Sequence, residues 1–223
     1  GVRDPLGIRP LVLGRLDKAW ILASESCALD IIGAEFVRDV EPGEIVVLTS
    51  EGIRSVKPFA KRQSRFCIFE YIYFARPDSV VEGTSVYEAR KRIGCELARE
   101  SNVAADVVVP VPDSGVPAAI GFAAEAGIPF ELGIIRNHYV GRTFIAPHQD
   151  KRNLDVRVKL NPVQGVIEDK RVVLVDDSIV RGTTMRQIVK LLRSKGASEV
   201  HVRISSPPVM NPCFYGIDIS ARG

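Results

Sequence analysis

The chain has 223 residues, 46% hydrophobic and 26% charged, and no apolar run approaches the roughly 18 residues that a membrane-spanning helix needs. Its 30 basic and 27 acidic residues leave a formal charge of +3, too small a surplus to argue for nucleic acid as a partner. Four irregularly spaced cysteines, Cys27, Cys67, Cys95 and Cys213, with no CxxC pair and no secretory leader, argue against a disulfide scaffold and for a reducing, cytoplasmic compartment.

Residues 1 to about 60 read as short strands separated by turns. Strands are expected over 10–14, 20–23 and 45–48, with turns at Leu16-Asp17-Lys18 and Ser50-Glu51-Gly52. One short helix is expected after Ser24, capped by Ser26, with Leu29, Ile31 and Ile32 as its apolar side and Gly33 at its end. The polar run over 57–65 is expected to bridge two domains, with the boundary at residue 61. The first residues, Gly1-Val2-Arg3, carry no initiator Met, and the last, Ala221-Arg222-Gly223, follow closely on a strand-like segment, so both ends read as cut.

Beyond residue 61 strand and helix patterns alternate. A helix is expected over 86–99, a strand over 107–111, and a small-residue helix over 117–126, started by Pro117 and ended by Gly127. A strand over 172–175, a helix over 184–195 with Ile188, Leu191 and Leu192 on one face, and a strand over 200–205 complete the series. This order predicts an α/β fold: a mostly parallel sheet with helices on both faces, preceded by a β-rich segment. Ligands are expected at the carboxyl ends of the parallel strands.

The stretch VVLVDDSIVRGTTM, beginning at Val172, ends a buried run in two carboxylates. Side by side they repel, and each loses hydration near a core. Their acceptors suit hydroxyl groups or a metal-bound ligand. Ser178, Ile179, Val180, Arg181, Gly182, Thr183 and Thr184 then lead into a helix whose free amides and dipole make a phosphate site. Asp176 and Asp177 with this loop therefore suggest one ligand carrying both a polyol and a phosphate, a plain solvated acidic turn being the alternative.

A second strand-to-helix loop, PVPDSG, holds Asp113, Ser114 and Gly115 and suggests another phosphate group nearby. Residues 136–159 hold six Lys or Arg and two of the three His against Asp150 and Asp155. Arg136, Arg142 and Lys159 in so long a loop read either as a lid over polyphosphate or as a solvated basic surface.

VVLVDDSIVRGTT resembles the phosphoribosyl pyrophosphate (PRPP) signature of the type I phosphoribosyltransferases. CIFEYIYFARPDS, PVPDSG, RNHYVGRTFI and NPCFYGID narrow the resemblance to the glutamine PRPP amidotransferase (amidophosphoribosyltransferase) family, with His138 where an Arg is more usual. GVRDPLGIRPLVLG and ASESCALD resemble the last part of that family's N-terminal nucleophile glutaminase domain. The resemblance thus covers the whole chain as a fragment, with residues 1–60 as the end of the glutaminase domain and 61–223 as the phosphoribosyltransferase domain.

The resemblance implies displacement of pyrophosphate from PRPP by glutamine-derived ammonia, giving 5-phosphoribosylamine, the first step of de novo purine biosynthesis. Asp176 and Asp177 would hold the ribose hydroxyls, the loop from Ser178 to Thr184 the 5-phosphate, and Asp113, Ser114 and Gly115 the pyrophosphate. Mg²⁺ would bind near Ser114, Asp176 and Asp177. Arg136, Tyr139, Arg142 and Lys159 would belong to a catalytic lid that excludes water. The family's glutaminase nucleophile is an N-terminal cysteine, whereas Gly1 comes first here, so ammonia is the expected donor. Cys67 and Cys213 match ligands of a [4Fe-4S] cluster in one subgroup, with plain core cysteines as the alternative. Purine nucleotides as feedback inhibitors and a homo-oligomer are implied too. A PRPP- or nucleotide-binding regulatory module on the same fold, or an inactive fragment, remains the competing reading.

Overall fold

A computed structural model describes residues 1–101, 103–138, 159–180 and 182–215. Contacts divide the chain into two compact units, Gly1–Ala89 with Cys213–Asp218 and Arg90–Pro212 with Ile219–Gly223.

In the first unit, strands β1 (Val12–Leu16), β2 (Ala19–Ala23) and β3 (Glu35–Asp39) form an antiparallel sheet in the order β2-β1-β3. Asp17 and Lys18 make the two-residue turn between β1 and β2, with Asp17 at φ 50, which a short polar side chain tolerates. Val12 and Leu13 point to opposite faces, yet each is 1% exposed. Val12 packs with Leu29 and Ala34, and Leu13 with Val40 and Val46, so hydrophobic side chains cover both faces of this sheet. Strands β4 (Ile45–Thr49) and β5 (Gly52–Val56) form a hairpin, and β6 (Val80–Val81) with β7 (Thr84–Ser85) a shorter one. Glu70–Phe74 make a single π-helical segment, and residues 57–65 are exposed without helix or strand.

The helix α1 (Ser26–Ile31) departs from the expectation at its cap and on its apolar side. Ser26 is its first helical residue rather than its cap, and its hydroxyl oxygen accepts the Val80 amide at 2.8 Å. Ile31 is 67% exposed: two residues beyond the fully buried Leu29, it lies about 200° further round the helix.

The second unit is built on a parallel sheet of β8 (Val107–Pro110), β11 (Arg171–Asp176) and β12 (Glu199–Ile204), in the order β12-β11-β8. Val172 to Val175 in the central strand are fully buried. Val172 and Leu174 face a core with Ile134, Ile167, Ile188 and Leu192, while Val173 and Val175 face one with Ala98, Ala118, Ala119 and Phe122. Helix α5 (Thr183–Ser194) therefore covers one face, and α2 (Val86–Glu100) and α3 (Val116–Ala126) the other. Glycines let α2 and α3 approach: a Cβ on Gly94 would come 1.9 Å from the Ala118 carbonyl oxygen. A second ribbon pairs β9 (Ile134–Arg136) with β10 (Leu160–Pro162), and α4 (Gln164–Ile167) leads to β11. The parallel sheet with helices on both faces agrees with the fold expected from the alternating pattern.

Two charges are buried in the first unit. Arg3, 3% exposed, donates to the carbonyls of Arg9, Val40 and Gly7 and to the Glu82 carboxylate. Glu44, 1% exposed, accepts from the Arg38 guanidinium at 2.6 and 2.9 Å, the Glu41 amide at 2.7 Å and the Ser55 hydroxyl at 2.5 Å. The Arg38 hydrogen bonds hold this carboxyl down to about 2. Its stabilisation is thus complete above the ordinary carboxyl value of 4.5 and fades as the pH falls toward about 2. Glu44→Gln is expected to lose ~1–3 kcal/mol in urea unfolding at pH 7. It should also lose less stability than the parent between pH 4.5 and 2, and equal losses would assign the acid sensitivity to other groups.

Candidate active site

Parallel pairing brings Pro110, Asp176 and Ile204 to one edge of the sheet. The loop after β8 lies across the end of β11, where the Val111 amide donates to the Val175 carbonyl at 2.8 Å. A Cβ on Gly115 would sit 2.4 Å from that same carbonyl oxygen, so only glycine lets the loop come so close. The Pro112–Asp113 peptide bond in this loop is cis.

Asp176 and Asp177 stand at the strand end, as the sequence suggested. The Asp177 amide donates to the Asp176 carboxylate at 2.9 Å. Burial, and then the like charge of Asp177, push Asp176 up to about 7. Asp177 is 6% exposed, and its carboxylate accepts the Ser178 hydroxyl. The turn is held from behind by the loop after β12: the Ser205 amide donates to the Asp176 carbonyl at 3.0 Å and the Ser206 amide to the Asp177 carbonyl at 2.8 Å. Sequence reasoning missed these two serines, whose only signal was their position just past a parallel strand.

Ser178 is half-buried, whereas Ile179 and Val180 are 45% and 65% exposed. Gly182, at φ 67, turns the chain into α5, and Thr183 and Thr184 are exposed on its first turn. The amides there have no partner further back in the helix and can receive an anion. Beside them lies a cavity of about 440 Å³ lined by Ile179, Gly182, Met185, Arg186, Val189, Lys190 and Arg193. Arg181 lies outside the described residues.

The start of α3 is different. The Gly115 amide is taken by the Val111 carbonyl, the Val116 amide by that of Asp113 and the Ala119 amide by that of Gly115, while Pro117 has no N–H. Among the described residues the amides of Asp113 and Ser114, at the tip of the loop, meet no acceptor. Asp113, expected as a pyrophosphate contact, pairs with Arg136, whose Nη1 donates to its Oδ2 at 2.8 Å. Arg136 ends β9, opposite Leu160 in β10, and the Asn137 amide donates to the Lys159 carbonyl at 2.8 Å. Arg136 and Lys159 thus flank one ribbon, while Tyr139 and Arg142 lie outside the described residues.

The donor set of Ser114, Asp176 and Asp177 is all oxygen, with two adjacent carboxylates whose repulsion a dication relieves, and so fits Mg²⁺. Cys67 and Cys213 fall in the same unit, but two thiols do not fill the Cys₄ set of a closed [4Fe-4S] cluster. Among the described residues no group of three or more His, Cys, Asp or Glu could hold a metal ion.

Comparison with known proteins gives one family model, the phosphoribosyl transferase domain, matching residues 83–205. The amidophosphoribosyltransferase of Mycobacterium tuberculosis is 58% identical over 216 residues, covering 97% of this chain and 41% of that protein. That of Bacillus subtilis is 57% identical over 219 residues, covering 98% of this chain and 46% of its own length. A solved structure of glutamine PRPP amidotransferase from B. subtilis, complexed with ADP and GMP, superposes with a TM-score of 0.89 at 56% identity, covering 98% of this chain and 48% of that one. The chain spans about half the length of the curated relatives it matches.

Gly115→Ala should force the loop off the Val175 carbonyl and cost ~1–3 kcal/mol, read as a lower Tm; an unchanged Tm would mean that the backbone yields freely. Asp177→Asn removes the like charge beside Asp176. Its carboxyl midpoint, followed by carbon-13 NMR, should fall from about 7 yet stay above the ordinary 3.8, because burial is the larger cause.

Proposed function

The chain belongs to the phosphoribosyl transferase domain family, and from that premise we propose that it transfers the phosphoribosyl group of PRPP to ammonia, giving 5-phosphoribosylamine and pyrophosphate. The observation that carries the reading is the meeting of two strand-to-helix loops at one sheet edge, one ending in a carboxylate pair and the other closed onto it by Gly115. The names of the relatives, amidophosphoribosyltransferases at 54–60% identity, support the choice of reaction.

Asp176 and Asp177 accept the ribose 2- and 3-hydroxyl protons, which fixes the sugar with C1 turned toward the Ser114 loop. Backbone amides from Ser178 to Thr184 hold the 5-phosphate at the start of α5. Ser114 and Gly115 border the pyrophosphate. As the C1–O bond breaks, the electron pair leaves with pyrophosphate; the C1–N bond forms from ammonia, which then loses a proton. Positive charge grows on the ribose and negative charge on the leaving group, so Arg136, with Lys159, Tyr139 and Arg142, is proposed to stabilise the departure. Ser114, Asp176 and Asp177 would hold Mg²⁺, which supplies charge neutralisation of the phosphates.

In the longer protein, residues 1–60 belong to the glutaminase part, which supplies ammonia from glutamine, and 61–223 to the transferase. A [4Fe-4S] cluster is assigned only to a longer chain that adds thiolates to Cys67 and Cys213. Purine nucleotides are proposed as inhibitors, on the strength of the B. subtilis relative solved with ADP and GMP, and a homo-oligomer on the family resemblance. No helix among the described residues is long and apolar enough to cross a membrane, and the described cysteines are free, which supports a cytoplasmic setting.

The test is Mg²⁺-dependent pyrophosphate release from PRPP, with ammonia and then with glutamine as donor. Release with ammonia is expected, and Asp177→Asn should lower kcat/KM by on the order of a hundredfold while the protein stays folded. An Asp177→Asn variant of full activity would sink the role given to the carboxylate pair. Saturable nucleotide binding without turnover would favour the regulatory-module reading.

A further inference from the structure

Helix α5 carries its charge in an arrangement that works against the helix. Its 12 residues include Arg186, Lys190 and Arg193 and no carboxylate. Spacings of four and three residues stack these cations on one face, where like charges repel. Arg186 also stands in the first four residues, at the end where the helix dipole disfavours a cation. All three are exposed, and among the described residues no ion pair engages any of them. A face that was merely solvated would gain stability from Glu at these spacings, so the one-sided charge points to an anion from outside.

The same cations border the loop that leads into the helix. Ile179 and Gly182 of that loop share a cavity of about 440 Å³ with Arg186, Lys190 and Arg193. Side chains on a helix lean toward its N-terminus, so the three cations tilt toward the exposed Thr183 and Thr184. Lys190 and Arg193 stem from points about 10 and 15 Å along the axis from Thr183. That is too far to grip a phosphate seated on the first amides, yet near enough to act on it through space where salt is low. Ile179, Met185 and Val189 supply an apolar wall between, which screens the field less than open water does.

Resting on the transferase reading, we infer that the cationic face of α5 is an approach surface for the phosphate end of PRPP. It draws the anion along the helix to the loop and stays out of contact once the phosphate is seated. Lys190 and Arg193 steer the substrate and are not its ligands. The need for such a field lies at the adjoining strand end, where Asp176 and Asp177 repel a ligand charged at both its phosphate and its diphosphate. A positive face to one side of that pair favours arrival with the 5-phosphate leading, the orientation in which the sugar hydroxyls reach the carboxylates.

The experiment titrates PRPP with Mg²⁺ into the full chain by calorimetry at about 25 mM and about 500 mM KCl, for the parent and a Lys190→Gln, Arg193→Gln double variant. A second double variant, Lys18→Gln with Arg54→Gln, removes the same net charge from exposed positions of the first unit. The α5 variant is expected to bind PRPP ~3- to 10-fold more weakly than the parent at low salt and less than ~2-fold more weakly at high salt. In turnover with ammonia its loss should fall on kcat/KM and not on kcat. Unchanged Tm values check that the exposed substitutions leave the fold intact. An equal loss at both salt concentrations overturns the inference by making the cations ligands, and no loss at either reduces the face to solvated charge. An equal loss in the Lys18 and Arg54 variant also overturns it, as an effect of net charge alone. A parent chain that shows no saturable binding of PRPP at either salt concentration overturns the transferase reading itself.

Discussion

The Val175 carbonyl accepts the amide of Val111 and leaves no space for a Cβ on Gly115, and through that contact the loop after β8 is laid across the end of β11. Everything at this edge follows from it. Ser114 comes within reach of the Asp176 carboxylate, α3 starts where it does, and Asp113 is carried out to the solvent, where Arg136 meets it. The contact is possible because β8 and β11 are parallel neighbours with Pro110 beside Val175, so both strands deliver their next residues to one place.

The two helices that leave this edge divide the work of handling charge. Helix α5 begins after Gly182 with its first amides open, an arrangement that favours an anion without any cationic side chain. Helix α3 begins with the amides of Gly115 and Val116 occupied and Pro117 without one, so its own first turn offers an anion fewer donors than that of α5. Between them the carboxylate pair is held in an electrostatically uncomfortable state, with Asp176 raised to about 7 by burial and by its neighbour. Backbone donors of Ser205 and Ser206 fix the turn that carries these carboxylates at the strand end.

Buried charge in the first unit is of another kind. Glu44 and Arg3 are nearly inaccessible and fully engaged, Glu44 by Arg38, Ser55 and a backbone amide, Arg3 by carbonyls and Glu82. They tie loops to strands in a unit whose sheet elements are only two to five residues long. The shift of Glu44 comes with its place inside the unit, whereas that of Asp176 lies at an open edge beside exposed Thr183 and Thr184.

Much of the second unit was legible from the chain alone. The run at Val172, the period of Ile188 and Leu192, the Pro117 start and the Gly127 end are local signals, set by side-chain spacing and by the φ that proline and glycine allow, and each element came out within a few residues of its expected span. The first unit was harder, because strands of five residues and α1 carry too few repeats for periodicity to speak, and Ile31 was assigned to the wrong side. By itself the sequence determined the succession of strands and helices, the carboxylate pair at a strand end and the family to which its motifs point. Only the tertiary structure decided that Ser205 and Ser206 clamp that pair, that burial raises Asp176 and that Asp113 meets Arg136 across 23 positions of chain. Hydrogen bonds between distant segments, desolvation and ion pairing depend on which parts of the chain are brought together in space, and no local pattern of residues encodes that proximity.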